Sequence, residues 1–169
     1  NYNTAIGYYS LSAGLYGSSL FSGSFNTAVG FYSLLNNITG NSNTAIGERS
    51  LAGTTTGNLN TAIGSTSLLQ NTTGNFNIAL GASAGNVTKS GSFATNSNNS
   101  LFIGYDTRPQ LDNQTNQIVM GHGTIGNGSN SVTLGNDSIN KTILKGNIGI
   151  GLTGPSTNLH VYGTQSGAF

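Results

Sequence analysis

Side chains able to transfer protons, bind metals or attack substrates are scarce in this 169-residue chain. The acids are Glu48, Asp106, Asp112 and Asp137; the cations are Arg49, Arg108, Lys89, Lys141 and Lys145; the histidines are His122 and His160. Residues 1–47 and 50–88 carry no charge at all. A Ser–His–acid relay needs a histidine beside both a carboxylate and a nucleophile, and neither histidine lies in a nucleophile motif. No catalytic residue is therefore assigned, and the chain reads as a non-enzyme. Asp106, Asp112 and Asn136-Asp137 offer oxygen atoms but lack the regular ligand spacing of a calcium loop, so they read as turn caps. Neither a metal nor a cofactor is expected. Without cysteine there are no disulfides and no thiolate sites.

A net charge of +1 gives no basic face for displacing counterions from nucleic acid. No apolar run approaches the roughly 20 residues that span a bilayer, so membrane insertion is not expected. The chain opens Asn1-Tyr2-Asn3, without the basic and apolar start of a signal peptide, which places any targeting segment elsewhere.

What the chain does hold in quantity is Gly, Asn, Ser and Thr, at 26, 24, 21 and 21 residues. Disorder has such a composition but lacks a regular apolar pattern. Here Asn3-Thr4-Ala5-Ile6-Gly7 recurs as Asn26-Thr27-Ala28-Val29-Gly30, Asn43-Thr44-Ala45-Ile46-Gly47, Asn60-Thr61-Ala62-Ile63-Gly64 and Asn77-Ile78-Ala79-Leu80-Gly81. Looser copies end at Gly104, Gly121 and Gly135, and the eight glycines are separated by 23, 17, 17, 17, 23, 17 and 14 residues. The long intervals read as insertions, near residues 12–25 and 85–99, on a constant 17-residue coil.

Alternation with period two puts Thr and Ile of each unit on one face of a strand and Ala on the other. The β-branched face is expected to point inward and the small Ala column outward, cleared for close approach of another surface. Ser33-Leu34, Ser50-Leu51 and Ser67-Leu68 are expected on a second strand, with Leu facing the same thin core. Corners such as Thr56-Gly57-Asn58-Leu59-Asn60 call for residues tolerant of positive φ. The fold class is thus all-β, a parallel β-solenoid of some nine coils, roughly 40–45 Å long at about 4.8 Å per coil. So narrow a core suggests that identical solenoids pack side by side as a symmetric oligomer.

The Asn-Thr-Ala-Ile-Gly units with following Ser-Leu resemble the left-handed β-roll repeats of trimeric autotransporter adhesin heads and of bacteriophage tail fibres. The segment from Asn130 through Thr142-Ile143-Leu144-Lys145-Gly146-Asn147-Ile148-Gly149-Ile150-Gly151 to Leu159-His160-Val161 resembles the stretch preceding an endosialidase-type chaperone domain in tail fibre proteins. The likeness covers about residues 1–163. It implies a parallel homotrimer, with β-roll repeats over 1–138 passing into intertwined β-structure between chains over 139–169. Such fibres continue into the chaperone, so an end at Phe169 implies either maturation or a fragment.

Eight of the fourteen aromatic residues fall before residue 33. Tyr8, Tyr9, Tyr16, Phe21, Phe31 and Tyr32 are the receptor-binding candidates, because rings stack on sugar faces while Asn and Ser read hydroxyls. The alternative is that Tyr8, Phe31 and Tyr32 fill space at coil edges or between subunits. The second insertion, rich in Ser and Asn around Lys89, reads as a solvated loop. The function expected is a structural fibre and adhesion protein, a shaft and attachment surface for cell-surface receptors, glycans foremost. Its place would be extracellular, on a phage virion tail fibre or a bacterial surface. The alternative is an adhesin head binding extracellular proteins or surfaces. An ice-binding solenoid is a third class, disfavoured at this level because the Thr column is read as facing inward.

Overall fold

The computed structural model describes residues 1–12, 22–151 and 153–161. Its chain separates into two compact units, Asn1–Ser138 and Ile139–Phe169. The first is a parallel β-solenoid with one short strand per coil: β1 Thr4–Ile6, β2 Thr27–Val29, β3 Thr44–Ile46, β4 Thr61–Ile63, β5 Ile78–Leu80, β6 Leu101–Ile103, β7 Gln117–Met120 and β8 Ser131–Leu134. They form one eight-stranded sheet in chain order, every neighbouring pair parallel. Register is set by the repeat itself, so that Ala28 meets Ala45, Ala45 meets Ala62 and Ala62 meets Ala79. Eight strands at about 4.8 Å make a ladder about 34 Å long. The described residues contain no helix.

The orientation of the strands is the reverse of the expectation from residue size. Ala28, Ala45, Ala62 and Ala79 are fully buried, whereas Ile46, Ile63 and Ile78 are exposed and Thr27, Thr44 and Thr61 half-exposed. The reason is the partner across the coil. Leu34, Leu51 and Leu68 are fully buried against the Ala column, and the interior left by a coil this tight holds one large side chain, not two. Leu supplies the volume, and Ala leaves room for it.

No second strand carries these leucines. They lie in turns at φ of +50°, +51° and +46°. A left-handed conformation costs a non-glycine residue about 1–2 kcal/mol, and burying a Leu side chain recovers about 1.5–3 kcal/mol, so packing wins at each position. The turns still stack by backbone hydrogen bonds from Leu34 N to Ser50 O at 2.9 Å, Leu51 N to Ser67 O at 3.1 Å and Leu68 N to Ala84 O at 2.9 Å.

The large-and-small rule survives its own exception. One coil beyond Leu68 the Leu position is Gly85, and the next strand carries Phe102 where the five preceding strands carry Ala. A Cβ on Gly85 would lie 2.8 Å from Leu68 and 3.0 Å from the ring of Phe102, which is fully buried. The ring occupies the space a leucine would have filled. Phe102→Ala should therefore cost about 3–5 kcal/mol in urea unfolding. Adding Gly85→Leu should restore part of the loss, because its φ of +67° is close to that of the other leucines; failure of the double variant to recover anything would contradict this packing.

Asparagine supplies the interior hydrogen bonds. Asn26, Asn43, Asn60 and Asn77 are buried just before each strand, on the same side as Ala. The backbone N–H of Asn43 donates to Asn26 Oδ1 at 2.9 Å, that of Asn60 to Asn43 Oδ1 at 3.0 Å, and that of Asn77 to Asn60 Oδ1 at 3.1 Å. Each Nδ2 donates to a corner carbonyl, Asn43 to Gly57 O and Asn60 to Gly74 O, both at 2.8 Å. A second, outer ladder runs the opposite way, from Asn41 N to Asn58 Oδ1 at 2.9 Å and from Asn58 N to Asn75 Oδ1 at 2.8 Å. Together they pair corner backbone groups that sheet pairing does not reach.

The corner glycines are present for room and not for positive φ. A Cβ on Gly57 would lie 2.5 Å from Gly74 O. The left-handed corner position is instead taken by Phe25, Ser42, Leu59 and Phe76, at φ of +60°, +56°, +57° and +58°.

The second unit contains β9 Ile148–Ile150 and β10 Leu159–Val161, a two-stranded parallel pair in which Leu159 meets Ile148 and Val161 meets Ile150. Ile143, Leu144, Ile150, Leu159 and Val161 are all exposed.

Candidate functional site

Of the aromatic candidates, Tyr16 and Phe21 lie outside the described residues, as does most of the first insertion. The structure gathers the other four into one cluster at the N-terminal end of the solenoid. The repeat does this, since residues at equivalent places in successive coils become neighbours. Tyr8 stacks on Phe31 with centroids 5.7 Å apart and planes 8° from parallel, and Tyr9 lies 5.7 Å from Tyr32. Tyr8 and Tyr9 meet edge to face at 4.4 Å, joining the two pairs. Packing among the rings desolvates the Tyr8 hydroxyl and, with Tyr9 and Tyr32 beside it, raises its pKa. A further stacked pair, Tyr2 on Phe25 at 5.2 Å, was not among the candidates.

The cluster is continuous, since Phe31 and Tyr32 lie 4.0 Å apart between centroids and Tyr8 and Tyr32 6.0 Å. Parity holds within the strands, where Thr27 and Val29 face outward and Ala28 inward. The exposed apolar residues in and beside the strands include Tyr2, Ile6, Tyr8, Phe25, Phe31, Ile46, Leu59, Ile63, Phe76 and Ile78. The outward Thr column also removes the ground on which ice binding was disfavoured.

Tyr32 extends from that cluster to a groove. With Asn36, Arg49, Gln70 and Phe93 it lines this groove of about 370 Å³ floored by Leu35, Ala52 and Leu69. Gly53 stands between Asn36 and Gln70 in the coil-to-coil column, and because a Cβ there would lie 2.7 Å from Gln70 Oε1, its missing side chain makes room for the Gln70 amide. Phe93 comes from the second insertion, where it bridges to Val87 in an antiparallel contact. Lys89, Ser90, Gly91 and Ser92 of that insertion are exposed, as a solvated loop requires, but the loop also delivers this ring to the groove. An aromatic among Ser and Gly was the sequence signal for it.

The ionisable residues do not assemble a reaction centre. His122 is exposed and stacks on Tyr105 at 5.3 Å, and its imidazole makes no hydrogen bond among the described residues. Asp106 pairs with Arg108, the Nε donating to Oδ1 at 2.9 Å and Nη2 to Oδ2 at 2.6 Å, which holds the guanidinium still more firmly protonated. Among the described residues this is the one ion pair, and no group of three metal-ligating side chains comes together. His160 lies in β10.

Asp112 anchors the end of the second insertion. Its Oδ1 accepts from Thr95 N at 2.9 Å and Asn96 N at 3.0 Å, and its Oδ2 from the Thr95 hydroxyl. Partial burial pushes the carboxyl up, but the Thr95 hydroxyl and the backbone N–H groups outweigh it and hold the pKa below the ordinary value. A depressed carboxylate contributes stability above its unfolded pKa and loses it as pH falls through the folded one. Acid titration should therefore loosen the 85–99 insertion below the ordinary carboxylate range, and Asp112→Ala should remove about 1–3 kcal/mol at neutral pH along with that acid dependence. Unfolding curves recorded from neutral to acid pH check both.

No family model matches the sequence, and neither a curated protein nor a solved structure shows significant similarity to it.

Proposed function

We propose that this chain is a segment of a homotrimeric fibre or adhesion protein, with left-handed β-roll coils whose outward strand faces meet around a common axis. The observation that carries this reading is the position of Phe25, Leu59 and Phe76. All three are held at left-handed φ while 61%, 50% and 57% exposed. Unlike the leucines, they are not buried within the chain, although Phe25 stacks on Tyr2 at 5.2 Å. In later coils the same position is Asn99, Asn116 and Asn130, which adopt it at low cost. Large apolar side chains kept under strain at a surface point to contact with something else. Regular Thr and Ile columns on a rigid sheet suit two neighbouring copies. The exposed Ile143, Leu144, Ile150, Leu159 and Val161 would be covered where the three chains intertwine beyond residue 139.

The fibre's task in this reading is attachment to cell-surface glycans, outside the cell, on a phage tail fibre or a bacterial surface. Tyr8, Tyr9, Phe31 and Tyr32 supply the ring platforms for sugars, with Tyr32 at the edge that opens to the groove. A glycan array probed with the intact chain should give specific hits, reduced at least about tenfold in affinity by Tyr9→Ala with Tyr32→Ala. An array without hits, or hits indifferent to both substitutions, would sink this reading.

One observation favours a second reading. Thr4, Thr27, Thr44 and Thr61 form an outward column at strand spacing, the arrangement of an ice-binding plane. A trimer would bury it, so thermal hysteresis in a monomeric protein supports ice binding and its absence removes it.

A further inference from the structure

The groove beside Tyr32 holds a cation with no counter-charge. Arg49 and Glu48 are the only charged residues in the first 88, yet they form no ion pair. Glu48 occupies the coil position of Tyr8 and Phe31 and Arg49 that of Tyr9 and Tyr32, and Arg49 lines the groove. The Arg49 side chain makes no hydrogen bond among the described residues and is exposed, with five N–H donors unengaged by protein. Around it the other lining groups are neutral. Asn36 and Gln70 present amides to either side of Gly53, and neither amide takes part in the Asn ladders.

The arrangement supplies each component that recognition of an acidic sugar needs. Tyr32 and Phe93 contribute aromatic rings to the lining, suited to the apolar face of a pyranose. The amides of Asn36 and Gln70 can donate to and accept from hydroxyl groups. The guanidinium, planar and permanently charged, pairs with a carboxylate through two parallel hydrogen bonds. Tyr32, Arg49 and Gln70 come from three successive coils, so the groove runs about 10 Å along the rod at strand spacing, long enough for more than one sugar ring. A neutral glycan could accept hydrogen bonds from Arg49 but would leave its charge unmatched. A carboxylated one uses every polar group present.

We infer that this groove binds a carboxylate-bearing saccharide, of the uronate or sialate class, with Arg49 reading the carboxylate and Tyr32 and Phe93 holding the sugar rings. This deepens the glycan-attachment reading above and rests on it.

The test uses the intact chain with three acidic probes, trigalacturonate, a hyaluronan oligosaccharide and sialyllactose, each compared with its own carboxyl methyl ester. The ester keeps the rings and hydroxyls and removes the charge. By calorimetry at low and physiological ionic strength, at least one acid should bind about tenfold more tightly than its ester, with the difference shrinking as salt rises. Arg49→Gln should erase the difference while leaving ester affinity unchanged, and as an exposed residue it should leave the unfolding midpoint unmoved. Phe93→Ala should weaken acid and ester alike. Equal binding of acid and ester, or a preference that survives Arg49→Gln, overturns the inference while leaving glycan attachment standing. Absence of binding by every acid and ester overturns it as well, and if the neutral glycans of the array also fail, the attachment reading falls with it.

Discussion

Asn60→Ala is expected to destabilise the solenoid by about 3–5 kcal/mol, more than any exposed substitution in the same coil. Its Oδ1 accepts from the backbone of Asn77 at 3.1 Å, and its Nδ2 donates to Gly74 O at 2.8 Å and to Asn43 Oδ1 at 3.1 Å. Truncation strands the Asn77 N–H and the Gly74 carbonyl in a fully buried site, at about 1–3 kcal/mol each, and leaves a small void besides. Asn58, two positions earlier in the chain, is the control. Its bonds to Asn41 and Asn75 are equally short, but they are only partly buried and water replaces them, so Asn58→Ala should cost about 1 kcal/mol. Asn60→Asp should be no milder than alanine, since a carboxylate would turn an acceptor toward Gly74 O. Urea unfolding of the three variants gives the comparison directly. Equal losses at 58 and 60 would mean that the inner ladder is not what holds successive coils together.

Ile46→Lys combined with Ile63→Lys is expected to abolish assembly while sparing the coil. Both side chains are exposed, at 37% and 40%, so the single-chain core of Ala and Leu does not depend on them. In the proposed trimer each would face its counterparts in two other copies. Six ammonium groups brought together without partners cannot be desolvated, and the particle should fall apart into single chains. Circular dichroism should be unchanged and the particle mass reduced about threefold. If the mass does not change, this face is not the contact. Ala62→Leu, one residue away, should do the reverse: it overpacks the interior by about 1–3 kcal/mol without acting on any outward contact.

These two substitutions also show where reading the sequence succeeded and where it inverted. The 17-residue period, the strand positions ending before Gly30, Gly47 and Gly64, and the core role of Leu51 and Leu68 were all legible, because repetition is a property of the string. Which strand face points inward was not. Alternation fixes parity and says nothing about which parity is inside, and the larger, β-branched residues were the natural choice for a core. The interior volume decides otherwise, and it depends on the leucine across the coil. The change from Leu68 to Gly85, followed by Ala79 giving way to Phe102, was the sequence trace of that constraint. The same parity places Asn60 with Ala62 inside, so the interior ladder was encoded by Asn recurring two residues before each Ala; it passed for turn chemistry alone. The meeting of Tyr8 with Phe31 and of Tyr9 with Tyr32 follows from their equal offset of one coil, and no motif in the sequence announces the groove that Arg49 and Phe93 share. Those two residues lie 44 positions apart and meet only because the coils stack.

The measurement that bears most directly on the account is the mass of the intact particle under native conditions. Three copies of the 17.2 kDa chain in one monodisperse species is the result the outward face predicts. A monodisperse monomer, with Phe25, Leu59 and Phe76 left in water, would contradict it.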